Sequence, residues 1–188
     1  MISAAGRVAS QRHFQHALAE MILHTKFLTL DCYIQHGNTT VMQHSIAVAQ
    51  YSVYLAKKFH IPVHEEELIR GALLHDYFLY DWHRKGEGHR MHGFRHPYTA
   101  LKNAMEVCSL TPIEQDIIKK HMFPLTPFPP RYRESVLVCI ADKICSTYET
   151  LYLCSEMETY LHGKRRFNAC MKYLERKKAA AVPAVKGQ

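Results

Sequence analysis

The chain has 188 residues, which is the size of one ordinary domain and too short for two domains to be expected. An apolar fraction of 47% with 22% charged residues supports a compact globule. The formal net charge of +7 and the calculated pI of about 9.1 favour acidic ligands such as nucleotides, phosphate esters or nucleic acid, without choosing among them.

Helix-favouring composition dominates the chain. Gly and Pro are sparse at 8 each, strand-like alternation is hard to find, and stretches rich in Ala, Leu, Glu and Lys recur, so we predict an all-α fold of about seven helices. The predicted helices run from about Gln11 to Gln35, from Asn38 or Thr39 to Phe59, from His64 to Asp76, from Pro97 to Leu110, from Pro112 to His121, from Tyr132 to Leu153 and from Glu156 to Lys178. Residues 77–95 are predicted to be irregular, and residues 124–130 form a loop because prolines recur there.

Specific end signals support several of these boundaries. His36-Gly37-Asn38 is a turn signal after the first helix, and the acidic residues 65–67 suit the positive end of the third helix. Thr111-Pro112-Ile113-Glu114 is typical of a helix cap followed by Pro at the first helical position. We therefore predict one helical domain over residues 1–178 and a frayed tail over residues 179–188.

Cysteine usage and hydropathy bear on the compartment. The six cysteines are scattered without CxxC spacing, and several lie among apolar residues, which predicts buried, reduced thiols rather than a disulfide framework or a zinc knuckle. No apolar run approaches a membrane span, and the N-terminus lacks the apolar stretch of a signal peptide. These features predict a cytoplasmic protein, with an organellar presequence as the alternative because residues 1–19 contain no acid.

Histidines and an aspartate recur on the apolar faces of the predicted helices. His44 lies at helical intervals from apolar neighbours in the second helix, and His75 and His121 continue the apolar faces of the third and fifth helices. Asp142 lies in the apolar run of residues 138–144, where a buried carboxylate is costly unless it is paired or binds a metal. Each residue alone also fits a hydrogen-bonded core position, whereas together they indicate a common site.

The order of these residues resembles the HD-domain superfamily of metal-dependent phosphohydrolases. Its pattern is a histidine, then a His-Asp pair, then a distant aspartate, all on a helical bundle. Here the pattern consists of His44, of His75 and Asp76 in LIRGALLHDYF, and of Asp142 in VCIADKICSTYE, and it spans roughly residues 38–153. The resemblance implies an HD-type helical bundle with a divalent metal, at which Asp76 and His75 are the catalytic residues.

Some members of that superfamily hold two metals by adding two histidines between the pair and the last aspartate. This chain offers His96 in HGFRHPYTALKNA, similar to the His-Pro element of the two-metal members, and His121 in IIKKHMFPL. The resemblance then implies a first ion with four ligands, a second ion held by these two histidines, and a bridging carboxylate from Asp76. The four ligands of the first ion are His44, His75, Asp76 and Asp142. We favour two ions over one.

The ligand types indicate the ion and the reaction. Imidazole and carboxylate together suit Mn, Fe, Co, Ni or Zn, and the absence of a thiolate cluster argues against a structural zinc site. Such ions activate water and clamp phosphoryl oxygens, which predicts hydrolysis. The sequence departs from the cyclic-dinucleotide phosphodiesterase branch, since HDYFLYDW replaces the Gly and Lys after the pair, HMFPL replaces the His-His-Glu element, and the GYP signature is absent. These departures argue against cyclic di-GMP as the substrate.

Cationic side chains for a substrate phosphate are predicted at positions between and next to the motif residues. Arg84 and Arg95 lie in the irregular stretch before His96, and Lys143 directly follows Asp142. Solvated charges are an equally good explanation for each of these cations. His92 is the best further histidine for a ligand role.

Two other features have two interpretations each. Glu149 lies seven residues after Asp142, on nearly the same helix face, so it either supports a ligand or lies at the surface or in a salt bridge. The aromatic residues between Tyr77 and Trp82 either stack on a nucleobase or pack the loop onto the core.

The leading hypothesis is a cytosolic metal-dependent phosphohydrolase that cleaves a phosphate ester of a small phosphorylated metabolite, in particular a nucleotide. Neither nucleic acid nor a membrane is an expected partner. One alternative is a di-iron oxygenase of the same superfamily, such as myo-inositol oxygenase, which uses the same ligands to activate dioxygen. The other is a non-catalytic nucleic-acid or protein-binding helical module, motivated by the basic residues between 164 and 178.

Overall fold

Helices make up most of the structure, a computed structural model that describes residues 4–83 and 91–151. The predicted all-α class is confirmed, with six α-helices, one 3-10 helix and one two-stranded hairpin within these two ranges. The elements are α1 (Ala4–His24), a 3-10 helix (Phe27–Cys32), β1 (Ile34–His36), β2 (Thr39–Thr40), α2 (Val41–Lys58), α3 (Glu65–Leu74), α4 (His92–Val107), α5 (Pro112–Lys120) and α6 (Arg133–Thr150). The predicted seventh helix and the tail fall outside the described residues.

The first helix ends at His24, so its predicted extension to Gln35 is wrong. The hydroxyl of Tyr77 accepts a hydrogen bond from the backbone N of Lys26 at 2.8 Å. The hydroxyl of Thr25 accepts one from the backbone N of Phe27 at 3.1 Å. These acceptors satisfy amides that a continuing helix would bond internally. A tertiary contact thus overrides the local helix preference and leaves room for the 3-10 helix and the hairpin.

The hairpin of β1 and β2 lies against the last turn of α6. The strands pair antiparallel, with Ile34 opposite Thr40. Gly37 makes the turn with φ at +56°, and a Cβ on it would lie 3.0 Å from the carbonyl oxygen of Glu149. Both the left-handed backbone and the close approach to α6 therefore require glycine here.

Helix α2 begins with a capping box. The hydroxyl of Thr40 accepts a hydrogen bond from the backbone N of Gln43 at 3.2 Å, and Oε1 of Gln43 accepts one from the backbone N of Thr40 at 3.1 Å. The predicted cap at Asn38 or Thr39 is wrong because strand β2 carries the chain as far as Thr40.

Helix α4 begins at His92, before its predicted start at Pro97. Met91 turns the chain with a left-handed φ of 67°, and its carbonyl oxygen accepts hydrogen bonds from the backbone N of Phe94 at 2.9 Å and of Arg95 at 3.2 Å. Pro97 therefore lies inside the helix, where it removes one internal hydrogen bond.

The predicted start of the fifth helix is confirmed. Thr111 and Glu114 form a second capping box, with Pro112 at the first helical position. The helix ends at Lys120, which leaves His121 directly after it.

The helices that carry the histidines pack around α2 and α5. Helix α2 contacts α3 and α6, and α5 contacts α3, α4 and α6. Gly71 lets α3 approach α5 closely, because a Cβ there would lie 2.5 Å from Cδ1 of Ile117. Leu68, Leu73 and Val138 are fully buried nearby, and each such side chain contributes about 1.5–3 kcal/mol. This packing holds the ends of α3 and α5 in a fixed relation.

Hydropathy and cysteine burial can be stated for the part of the chain that is described. No helix there is long and apolar enough to cross a membrane. Cys139 and Cys145 are buried free thiols, whereas Cys32 is exposed. Cys154 and Cys170 lie outside the described residues.

Candidate metal centre

Six buried side chains converge in the middle of the bundle, and they are the six residues that the sequence predicts as ligands. His44 lies in α2, His75 and Asp76 directly follow α3, His96 lies in α4, His121 directly follows α5, and Asp142 lies in α6. None of the six is more than 6% exposed. The polar groups therefore face one another in a place from which water is largely excluded.

His44, His75, Asp142 and one oxygen of Asp76 form a first group. Nε2 of His44 is 3.1 Å from Oδ1 of Asp142 and 3.8 Å from Oδ2 of Asp76. Nε2 of His75 is 3.4 Å from the same Oδ2 and 3.8 Å from Oδ1 of Asp142. Ligand atoms of His44, His75 and Asp142 all lie within 4.8 Å of one another, a spacing that could hold one ion.

His96 and His121 form a second group with the other oxygen of Asp76. Oδ1 of Asp76 is 3.1 Å from Nε2 of His96 and 3.6 Å from Nε2 of His121. The two Nε2 atoms are 2.8 Å apart. Asp76 thus presents one carboxylate oxygen to each group of histidines, and His75 also lies with Asp76 and His121 in a group that could hold an ion.

Backbone carbonyls orient three of the four histidines. Nδ1 of His75 donates to the carbonyl oxygen of Ala72 at 2.7 Å. Nδ1 of His96 donates to that of His92 at 3.0 Å, and Nδ1 of His121 donates to that of Ile118 at 2.9 Å. A proton on Nδ1 leaves Nε2 as a lone pair directed into the site, which is the tautomer that binds a metal. The Nε2 lone pairs of His96 and His121 then face each other and repel unless a cation lies with them.

Two buried polar atoms of the six converging residues lack a hydrogen bond. They are Nε2 of His75 and Oδ1 of Asp76. Buried polar atoms are nearly always satisfied, so unsatisfied ones need a partner from outside the chain. Because a lone pair on nitrogen and a carboxylate oxygen both suit a divalent ion, the residues present fit a metal.

Charges within the site set its protonation. Burial opposes ionisation of Asp76, but in the metal-free protein His75 and His96, when protonated, hold the pKa of its carboxyl well below the usual range. Burial also opposes the charge of Asp142, yet the neighbouring histidines lower its pKa as well. Burial, reinforced by the charges of His75 and His96, lowers the pKa of His121 to about 3. The carboxylates are therefore ionised and His121 is neutral near pH 7, the states that metal binding needs.

Glu149 stands behind His44. Its side chain is 3% exposed, and Oε2 accepts a hydrogen bond from Nδ1 of His44 at 2.8 Å. Burial lowers the pKa of His44, but Glu149 and Asp142, through their charges and hydrogen bonds, together more than offset it, and the pKa lies well above the usual 6.5. Of the interpretations left open by the sequence, surface exposure is excluded by this burial. The contact with His44 fits both a salt bridge and the support of a ligand, because such a carboxylate fixes the imidazole tautomer behind a metal site.

The predicted phosphate-binding residues differ in their surroundings. The ammonium of Lys143 donates to the carbonyl oxygens of His121 at 2.9 Å and of Cys139 at 3.2 Å, so it is held on the protein's own backbone. Arg95 has an exposed side chain on α4. Arg84 lies outside the described residues.

Gln35 touches the site and was missed by the sequence analysis. Its Nε2 donates a hydrogen bond to Oδ2 of Asp76 at 2.7 Å. The residue was assigned to the end of the first helix, and a three-residue strand carries no periodic signal that could have corrected this. His36, next to it in β1, lies edge-on to His44 with ring centroids 5.8 Å apart.

The aromatic residues after the His-Asp pair divide into two sets. Tyr77 and Phe78 are buried in the core, as the packing interpretation expects. Trp82 is half-buried and stacks on His92, with centroids 4.9 Å apart and rings 9° from parallel. Nδ1 of His92 is 2.9 Å from the hydroxyl of Tyr80, so this nitrogen is engaged with a side chain outside the two ligand groups.

Comparison with known proteins identifies a family. A protein-family model, described as the HD domain, matches residues 41–147 and so extends from α2 into α6. That range contains all six converging residues. No curated protein and no solved structure matches the chain.

Proposed function

Because the chain belongs to the HD-domain family, whose superfamily is one of metal-dependent phosphohydrolases, we propose that it hydrolyses a phosphate ester of a small phosphorylated metabolite, in particular a nucleotide. The observation that carries the proposal is the position of Asp76 between two sets of histidine nitrogens. A site of this kind suits hydrolysis because in-line displacement needs charge stabilisation at both the attacking and the leaving oxygen.

We propose two divalent ions as the cofactor. The first ion would be held by His44, His75, Asp142 and Oδ2 of Asp76. The second ion would be held by His96, His121 and Oδ1 of Asp76. Bound divalent ions lower the pKa of water toward neutrality and offset the charge of phosphoryl oxygens.

The chain's own groups would prepare this chemistry. The backbone carbonyls behind His75, His96 and His121 keep the Nδ1 protons in place, so no ligand must reorient when an ion binds. Glu149 does the same for His44 and adds negative charge behind it. Burial of all the ligands strengthens each of these interactions by excluding water.

Recognition of the substrate would fall to groups at the edge of the centre. We propose that Arg84, Arg95 and Lys143 contribute positive charge toward the phosphate; Arg95 has an exposed side chain on the helix that carries His96. The net charge of +7 supports an anionic substrate.

Metal analysis and a phosphatase assay test the proposal together. Protein purified without chelator should contain about two transition-metal ions per chain and should release phosphate from members of a nucleotide panel with Mn²⁺, Co²⁺ or Ni²⁺ added. Asp76→Asn should abolish release, whereas the control change Glu106→Gln, at an exposed carboxylate on α4, should not.

Two outcomes would contradict the proposal. Metal-replete protein that is silent across the panel would count against hydrolysis. Iron content with substrate-dependent oxygen uptake would support the oxygenase alternative instead.

A further inference from the structure

We infer that Gln35 is a positioning residue that orients the Asp76 carboxylate between the two histidine groups and holds the attacking water. This inference rests on the metal-dependent function proposed above and extends it to a residue outside both ligand groups and before the range matched by the HD-domain family model. It follows from three observations on the hairpin that carries Gln35.

The first observation is the contact with Asp76. Gln35 is 6% exposed, and its Nε2 lies 2.7 Å from Oδ2 of Asp76. An ionised carboxylate only accepts hydrogen bonds, so the amide must turn its NH₂ group toward Asp76. The bond fixes rotation of the carboxylate, with Oδ2 toward His75 at 3.4 Å and Oδ1 toward His96 at 3.1 Å.

The second observation concerns the other end of the same amide. Oε1 of Gln35 is buried and has no hydrogen-bond partner. Since Nε2 is committed to Asp76, Oε1 cannot exchange places with it, and the free acceptor needs a donor that is not part of the chain. Water that attacks a phosphate at this centre has a hydrogen to donate, and accepting it would orient the oxygen lone pair of that water.

The third observation is that the hairpin is anchored on both sides. The backbone N of Val41 donates to the carbonyl oxygen of Tyr33 at 2.9 Å, and the hydroxyl of Thr40 donates to Oδ1 of Asp31 at 2.8 Å. At the turn, Gly37 lies against the Glu149 carbonyl. A side chain on such a support holds its partner more accurately than one on an unanchored loop.

The inference predicts separate effects on metal and on rate. Loss of the amide would free Asp76 to rotate, which displaces both of its oxygens. The first ion would keep three other ligands and the second only His96 and His121, so the second ion would bind about 10–100-fold more weakly, as is typical when a group behind a ligand is lost. It would also remove the acceptor for the water, so kcat would fall by about 10–100-fold while KM for the substrate stayed within about twofold.

Cobalt titration of the metal-depleted full-length protein, followed by visible absorption, tests the inference. Gln35→Met keeps the length of the side chain and removes both polar groups. Gln50→Met is the matched control, because Gln50 is also buried and its Nε2 has no hydrogen-bond partner. We expect two Co²⁺ per chain in the wild type and the control, and a selectively weakened second equivalent in Gln35→Met.

The outcomes separate this inference from the proposed function. Equal binding of both equivalents and an unchanged kcat in Gln35→Met would overturn the inference and leave the function standing. Weakened binding with no hydrolysis by any variant would overturn the function and retain the orienting role. A wild type that binds no cobalt would overturn both.

A shorter amide provides a second variant in case Gln35→Met fails to fold. Gln35→Asn keeps the chemistry but withdraws it by one methylene, so it should weaken the second equivalent as well. Wild-type cobalt binding in Gln35→Asn would contradict the inference.

Discussion

Nδ1 of His44 and Oε2 of Glu149 lie 2.8 Å apart inside the bundle, although 105 positions separate the two residues in the chain. The pair joins the first turn of α2 to the last turn of α6. It also places a negative charge directly behind a proposed metal ligand.

Glu149→Gln should weaken binding of the first metal ion by about 10–100-fold, because the neutral amide no longer fixes the His44 tautomer or raises its basicity. Isothermal titration of metal-depleted protein with Mn²⁺ would measure this. Glu106→Gln, at an exposed position on α4, should bind as the wild type does. Unchanged affinity in Glu149→Gln would show that the pair is only structural.

His96→Ala should lower the metal content from two ions per chain to one, because His96 belongs only to the second group. Elemental analysis of dialysed protein gives the count directly. The exposed His60 supplies the control, since His60→Ala should retain both ions. Retention of two ions in His96→Ala would contradict the proposed division of ligands.

The metal-free protein should be most stable near pH 6.5. The pKa values of His44 and His75 are raised in the folded state, so the stability these residues contribute is complete below 6.5 and is lost as the pH rises through the folded values. The pKa of His121 is lowered to about 3, so stability is also lost as the pH falls from 6.5 toward 3.

Urea unfolding with chelator at about pH 5, 6.5 and 8.5 would reveal this maximum. Added metal should raise the free energy of unfolding most at about pH 8.5, because ions bind the deprotonated imidazoles. The exposed His24 is the control position, and His24→Gln should leave the profile unchanged. A steady rise in stability from pH 5 to 8.5 without metal would contradict the prediction.

Gly37→Ala should cost about 1–3 kcal/mol of stability, since a side chain at φ +56° is strained and its Cβ would lie 3.0 Å from the Glu149 carbonyl oxygen. The strain should also displace Gln35 and weaken metal binding. Gly93→Ala is the comparison: it lies in helix α4, where a Cβ meets the flexible end of Leu125. Thermal unfolding of the two variants should differ, and equal melting temperatures would argue against a pinned hairpin.

The sequence determined the features that depend on neighbouring residues, and those that follow from the free-energy cost of burying a charged group. Thr111 and Glu114 predicted the start of α5 because both halves of a capping box lie within one turn. Asp142 indicated a buried polar site because a carboxylate in an apolar run must find a partner wherever the chain folds. The order of His44, the His-Asp pair and Asp142 was sufficient to infer a shared centre and a helical bundle.

Only the tertiary structure decided the features that depend on contacts between distant segments. The hydroxyl of Tyr77 ends the first helix from 51 positions away, and a hairpin too short for any period then brings Gln35 to Asp76. The position of the Lys143 ammonium also depends on a distant segment, since one of the carbonyl oxygens that it binds belongs to His121 after α5. Local propensity amounts to less than about 1 kcal/mol per residue for most residue types, and a single well-placed tertiary hydrogen bond can outweigh it.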